Sequence, residues 1–227
     1  MDAVSPAEGL GVVHLFCKPG PGFNPAAAAG AIKDAEFDDV QVVTVSMLGH
    51  KADIAIMALH PDWWVLRKLQ TGLQRAGLEV VDSYVSLTEI SEYAAGVPEE
   101  MRNMRLYPEL ANVADDKPAW CFYPMSKRRG DGANWFTMPF ELRKELMYEH
   151  GASGRKFKGR ILQVITGSTG VDDWEWGVTL FGQNPDDLKE VVYTMRFDEA
   201  SAVYAEFGTF YTGIVADPAT VLESLTP

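Results

Sequence analysis

QVVTVSMLGHKADIAIMALHPDWWVLRKLQTGLQRAGLEVVDSYVSL, residues 41–87, is the stretch that decides the fold. Residues 41–47 and 53–59 are β-branched or apolar runs separated by LGHKA, which predicts two strands joined by a connection of hairpin length. A helix comes next. It opens at Pro61-Asp62, carries apolar residues at helical spacing through WWVLRKLQTGLQRA and stops at Gly77. Residues 78–87 return as a strand. Upstream, residues 12–17 are a short apolar run ended by the turn-forming KPGPG, and Ala-rich residues 25–35 read as a helix. The order is β-α-β-β-α-β.

The second half repeats it. Residues 119–125 (AWCFYPM) form a strand, and residues 139–150 (PFELRKELMYEH) form a helix with Pro in its first turn and Gly151 after its end. Residues 161–166 and 175–181 are strands, residues 185–196 a helix opened by NPDD, and residues 201–215 a long final strand. HPDWWVLRKL from His60 and NPDDLKEVVY from Asn184 match in layout at an offset of 124, so the duplication rests on element order rather than identity. Between the halves, residues 90–118 carry Pro98, Pro108 and Pro118, as a linker with room for one short helix would. The expected fold is α+β. Two fused ferredoxin-like modules, residues 1–110 and 111–227, lie together as in a dimeric α+β barrel.

Composition narrows the function classes. With 47% hydrophobic and 23% charged residues among 227, disorder, collagen and coiled coil are excluded as the main architecture. Twenty Lys+Arg against 32 Asp+Glu leave a charge of −12, which repels a phosphate backbone and disfavours nucleic acid as a partner. Cys17 and Cys121 are too few for a disulfide framework or a Cys-based zinc site and suit a reducing compartment. The first residues lack a basic n-region, and no apolar run reaches the roughly 18 residues of a membrane span, so a cytoplasmic location is expected.

No Walker loop, strand-linked GxGxxG, HExxH, GxSxG or CxxC occurs. GSTG at Gly167 reads as a turn between strands, and Asp172, Asp173 and Glu175 read as a solvated loop rather than a cation site. Of the four histidines, His14 lies in an apolar strand, His50 in a turn and His60 before a helix. His150 shares a helix face with Leu146 and Met147. It reads as a packed histidine or as the neutral imidazole that a heme axial ligand requires. Alternation along WCFYPMSKRR puts Cys121, Tyr123, Met125 and Lys127 on one face and Trp120 and Phe122 on the other. Gln163 interrupts the apolar run RILQVITGS, facing either solvent or a pocket.

CFYPMSKRR, NWF at Asn134, HGxxGR from His150, GRILQVITGS, DDWEWGVTLF and MRFDEASAVYAEFGTFYTG together resemble the chlorite dismutase-like superfamily. Within it the resemblance is closest to the coproheme decarboxylases, over residues 105–213. It implies conversion of iron coproporphyrin III (coproheme) to heme b, two propionates becoming vinyl groups with hydrogen peroxide as oxidant. His150 matches the proximal iron ligand, Tyr123 the tyrosine oxidised to a radical, and Lys127 its basic partner. Gln163 matches the distal position, with Met125 and Trp135 as pocket walls. Arg105, Arg196 and Ser201, and more weakly Arg155, match residues that hold propionates. The resemblance further implies a homopentamer and transient contact with a coproporphyrin ferrochelatase. Chlorite dismutases carry Arg where this chain has Gln163, so chlorite chemistry is disfavoured. A heme peroxidase and a non-catalytic heme carrier or sensor stay open as alternatives. Phe136 replaces the Tyr of NWY, and ANVADD lengthens the loop after Arg105.

Overall fold

The computed structural model describes residues 2–94 and 96–226. β1 (Gly11–Pro19), α1 (Pro25–Phe37), β2 (Gln41–Met47), β3 (Ile54–His60), α2 (Trp63–Arg75) and β4 (Leu78–Thr88) make the first unit, with antiparallel strands in the order β2-β3-β1-β4. A connection with α3 (Glu99–Leu106) and α4 (Val113–Asp116) leads to β5 (Ala119–Lys127). A small hairpin, β6 (Arg129–Gly130) and β7 (Ala133–Asn134), precedes α5 (Phe140–Arg155), β8 (Ile161–Gly167), β9 (Trp176–Gly182) and α6 (Pro185–Met195). α7 (Glu199–Ala202), β10 (Ala205–Phe207), β11 (Tyr211–Val215) and α8 (Pro218–Ser224) complete the chain. The second unit's strands take the corresponding order β8-β9-β5-β11. Each unit is therefore ferredoxin-like, and the fold is the α+β class that the element order predicts.

The two sheets join at both sides. β2 pairs with β11 (Val45 opposite Val215), β4 pairs with β8 (Thr88 opposite Thr166), and β5–β9 pairing closes the ring. Alternation sorts the residues. Val12, Phe16, Met57, Trp120, Phe122 and Phe181 fill the barrel, whereas Val13, Leu15, Ile54 and Ile56 face outward beneath α1 and α2. Phe16 stacks on Tyr211 at 3.7 Å between ring centroids. His14 points inside, where Nε2 lies 2.9 Å from Thr179 Oγ1 and burial lowers its pKa to about 3.

Local departures from the sequence reading have identifiable causes. α5 continues past His150 and Gly151 to Arg155, because Gly151 keeps a helical φ and only a positive-φ glycine would end the helix there. The final strand is instead α7 followed by two short strands: β10 pairs with residues 125–127 of β5, and β11 with residues 119–122. The linker holds two helices rather than one, α4 being formed by the lengthened ANVADD segment. The repeated Pro-Asp takes different helical positions. Asp62 caps α2 by accepting from Trp64 N at 2.9 Å, but Asn184 is itself the cap of α6 with Pro185 in the first turn.

The units differ in what covers them. In the first, α8 packs on α1 and β2, burying Val221 and Leu222. In the second, α5 packs chiefly on α6 and α7, and the outer face of β8 is left open, with Gln163 and Ile165 exposed.

Candidate active site

The open face of β8 continues across β9 onto β5. Register aligns Ile165, Val178 and Tyr123 in one row, Gln163, Leu180 and Cys121 in the next, and Gly167, Trp176 and Met125 in a third. Residues directly opposite share a face, so Tyr123, Met125 and Gln163 all project from the outer surface of this sheet.

Tyr123 is buried among aromatic rings. It stacks on Phe210 at 4.4 Å and meets Phe207 edge-on at 5.6 Å. Burial, with Cys121 beside it, pushes its phenol well above the ordinary range, so the hydroxyl keeps its hydrogen. β5 extends to Lys127, two residues past the strand end expected at Met125, and Lys127 is only 6% exposed. Its Nζ donates to the Ala200 carbonyl at 2.6 Å and lies 4.4 Å from the ring centroid of Trp135. Burial lowers its pKa to about 8, against the opposing pull of Asp198 and Glu175.

Trp135 is the floor of a small cluster with Leu146 and Ala200, onto which Met147 and Met138 pack. The apolar face of α5 that carries His150 is fixed by this cluster. His150 Nδ1 stands 3.1 Å from both oxygens of Asp198 and 3.3 Å from Ser201 Oγ. Asp198 is also the N-cap of α7, accepting from Ser201 N at 3.1 Å. Burial alone would raise the Asp198 carboxyl, but hydrogen bonds from His150 and Ser201 outweigh it and hold the pKa below the usual value. An Nδ1–H directed at a carboxylate leaves Nε2 with its lone pair, the state of a metal-ligating imidazole.

α7 thus gathers Lys127, Trp135, His150 and Ser201 within one four-residue helix and its cap. Ser201 reaches toward His150. Arg105, Arg155 and Arg196 are exposed. Arg155 lies 5.5 Å from the Tyr148 ring, and Arg196 lies over Tyr193 and Phe197 at 5.4 and 5.7 Å. A cavity of about 340 Å³ between α5 and α6 is lined by Asp198, Tyr193 and Phe197 but not by Tyr123 or Gln163, so it lies away from the β5 face.

Sequence reasoning misses two residues. Asp198 has a signal, since FDEAS can be read as an Asp N-cap with Ser three residues on, but no spacing rule sends that carboxylate to His150. Glu175, which the sequence places in a solvated loop, is in the loop but buried, immediately before β9, accepting from Lys127 N at 2.8 Å and pairing with Arg129. Among the described residues no group of three or more His, Cys, Asp and Glu could hold a metal ion.

A family model described as chlorite dismutase matches residues 25–216. Over 188 residues the chain is 44% identical to a coproheme decarboxylase of Staphylococcus carnosus, covering 78% of this chain and 73% of that one. A heme-binding protein from Thermus thermophilus superposes with a TM-score of 0.84 at 33% identity, covering 99% of each chain. A chlorite dismutase mutant from Candidatus Nitrospira defluvii superposes with a TM-score of 0.76 at 15% identity over 97% of each chain, a likeness of fold.

Proposed function

We propose that this chain, which belongs to the chlorite dismutase family, is a coproheme decarboxylase that converts iron coproporphyrin III to heme b with hydrogen peroxide. The observation that carries the reading is the convergence on α7. A histidine with its Nδ1 held by a buried carboxylate and a buried lysine on the Tyr123 strand face are anchored to the same short helix. One histidine cannot retain free iron, and no larger donor cluster stands among the described residues, so the donor set fits iron that arrives already chelated by a macrocycle.

Bound as substrate, coproheme would supply the redox chemistry, with peroxide as the two-electron oxidant. Each propionate then consumes one peroxide and one proton and yields a vinyl group, carbon dioxide and two waters. His150 orients the macrocycle through Nε2, with Asp198 fixing its tautomer. Tyr123, holding its hydroxyl hydrogen in an apolar aromatic setting, would give up that hydrogen atom to the first oxidising equivalent and in turn take one from the β-carbon of the propionate, and the second equivalent would take the electron left there as carbon dioxide departs. Lys127, with a pKa near 8, supplies the proton that the stoichiometry consumes and is reprotonated from solvent. Gln163 offers the distal side an amide without a fixed charge. Arg105, Arg155 and Arg196 provide guanidinium donors for propionates, Ser201 a hydroxyl, and Met125 and Trp135 the walls.

The finer readings are a homopentamer, a cytoplasmic location and transient contact with a coproporphyrin ferrochelatase; their support is the family resemblance. No described helix is long and apolar enough to cross a membrane. The deciding experiment mixes protein, coproheme and hydrogen peroxide and follows the porphyrin by chromatography. Heme b with loss of two carboxyls is expected. Unchanged coproheme overturns the assignment, and a monomeric mass in light scattering overturns the pentamer.

A further inference from the structure

Glu175 has no part in the reaction derived above, yet it is fastened to the strand end that carries Lys127. Its side chain is 8% exposed. Oε2 accepts from the backbone amide of Lys127 at 2.8 Å, and Oε1 pairs with Arg129. The Glu175 amide donates toward the Met125 carbonyl at 3.1 Å and Ser126 Oγ at 3.2 Å. Contacts from this single residue therefore reach each of the last three residues of β5. A glutamine could accept from the Lys127 amide but not from Arg129 as well, because its amide nitrogen only donates. The carboxylate is withdrawn from solvent while the side chain of its partner Arg129 is 64% open to it.

We propose that Glu175 is a positioning residue for Lys127: it fixes the strand end from which the lysine side chain departs and holds a carboxylate against the backbone amide at the base of that side chain. The proposal rests on Lys127 being the proton-handling partner of Tyr123. The groups that face the lysine come from several elements. Asp198 lies at the head of α7 and Glu175 just before β9, and the Ala200 carbonyl and Trp135 ring close the shell. Arg129 acts through Glu175, and His150 through Asp198. The nearby acid on β10, Glu206, is engaged by Arg128 at 3.5 Å. Of the two acids that hold the lysine charged, only Glu175 is free of contact with the histidine and touches Lys127's own backbone.

The test reads the lysine itself, without substrate. The protein labelled at lysine Cε is titrated by NMR, and the Lys127 resonance is identified by its loss in Lys127→Met. In Glu175→Gln the Lys127 midpoint should fall by about half a pH unit or more, a roughly threefold loss in the ratio of ammonium to amine near pH 8. Should that variant fail to fold, Arg129→Gln removes the exposed counter-charge and should move the midpoint upward. With coproheme and peroxide, the alkaline limb of kcat should track the NMR midpoint in each variant, at unchanged coproheme affinity. An unmoved midpoint, or an upward shift in Glu175→Gln, overturns the proposal. Wild-type protein that titrates as expected but makes no heme b overturns the decarboxylase reading and leaves the Glu175–Lys127 coupling standing.

Discussion

Asp198 meets Nδ1 of His150 with both carboxylate oxygens at 3.1 Å while its side chain caps α7. One acid thus sets the imidazole tautomer and the position of the helix whose Ala200 carbonyl receives Lys127. His150→Ala should abolish tight coproheme binding. Asp198→Asn, which keeps the shape but loses the charge, should weaken binding about 10-fold to 100-fold. Titration of apoprotein with coproheme, followed by the Soret band, checks both. Unaltered affinity in His150→Ala would place the iron elsewhere.

Tyr123→Phe preserves the stacking on Phe210 and removes only the hydroxyl. Coproheme affinity should change less than about twofold, since the lost group is not a macrocycle anchor, whereas carbon dioxide release should fall by at least about 100-fold. Near-normal heme b formation in single-turnover mixing with peroxide sinks the radical role.

Gln163 stands exposed on the open face of β8 and carries no charge. Coproheme-loaded protein mixed with chlorite in an oxygen electrode should evolve oxygen no faster than free coproheme, because an amide cannot supply the permanent charge of an arginine. Rapid evolution reverses the ranking of decarboxylase over chlorite dismutase.

His14 gives a pH signature. Its folded-state pKa, about 3, lies below the ordinary 6.5 because burial disfavours the charged ring. Between those values the unfolded chain binds the extra proton, so stability is retained above pH 6.5 and lost as pH falls toward 3. The loss from this residue is on the order of 2–4 kcal/mol. Urea melts at pH 7.5 and pH 5 should show a steep decline in wild type and a shallower one in His14→Leu. Equal slopes would contradict a neutral His14 in the barrel.

The element order was legible because it is local. Period-2 runs such as residues 41–47 and the helical spacing after Asp62 need no partner to be read, and the layout shared by residues 60–69 and 184–193 discloses the duplication. Closure of the barrel was less so, since it joins Ser46 to Ile214 and Leu87 to Gly167 across long sequence separations. The strand face of Tyr123 and Lys127 came from alternation alone. The holding of His150 by Asp198 and the burial of Glu175 depend on where α7 and the turn before β9 settle, which no periodicity encodes. Gly151 misled for the same reason: a glycine stops a helix through its φ, and that angle answers to tertiary packing, here that of α5 on α6 and α7.

Closure of the ring also governs how the chain resists edge-to-edge strand pairing with other molecules. A lone ferredoxin-like sheet exposes two strands whose free amides and carbonyls can template pairing with another molecule. Here β2, β11, β4 and β8 occupy one another's hydrogen bonds, and β10, which lies outside the closed ring, is three residues long. Cutting the chain between the halves would uncover four such edges at once, so neither half is suited to exist as a soluble fragment.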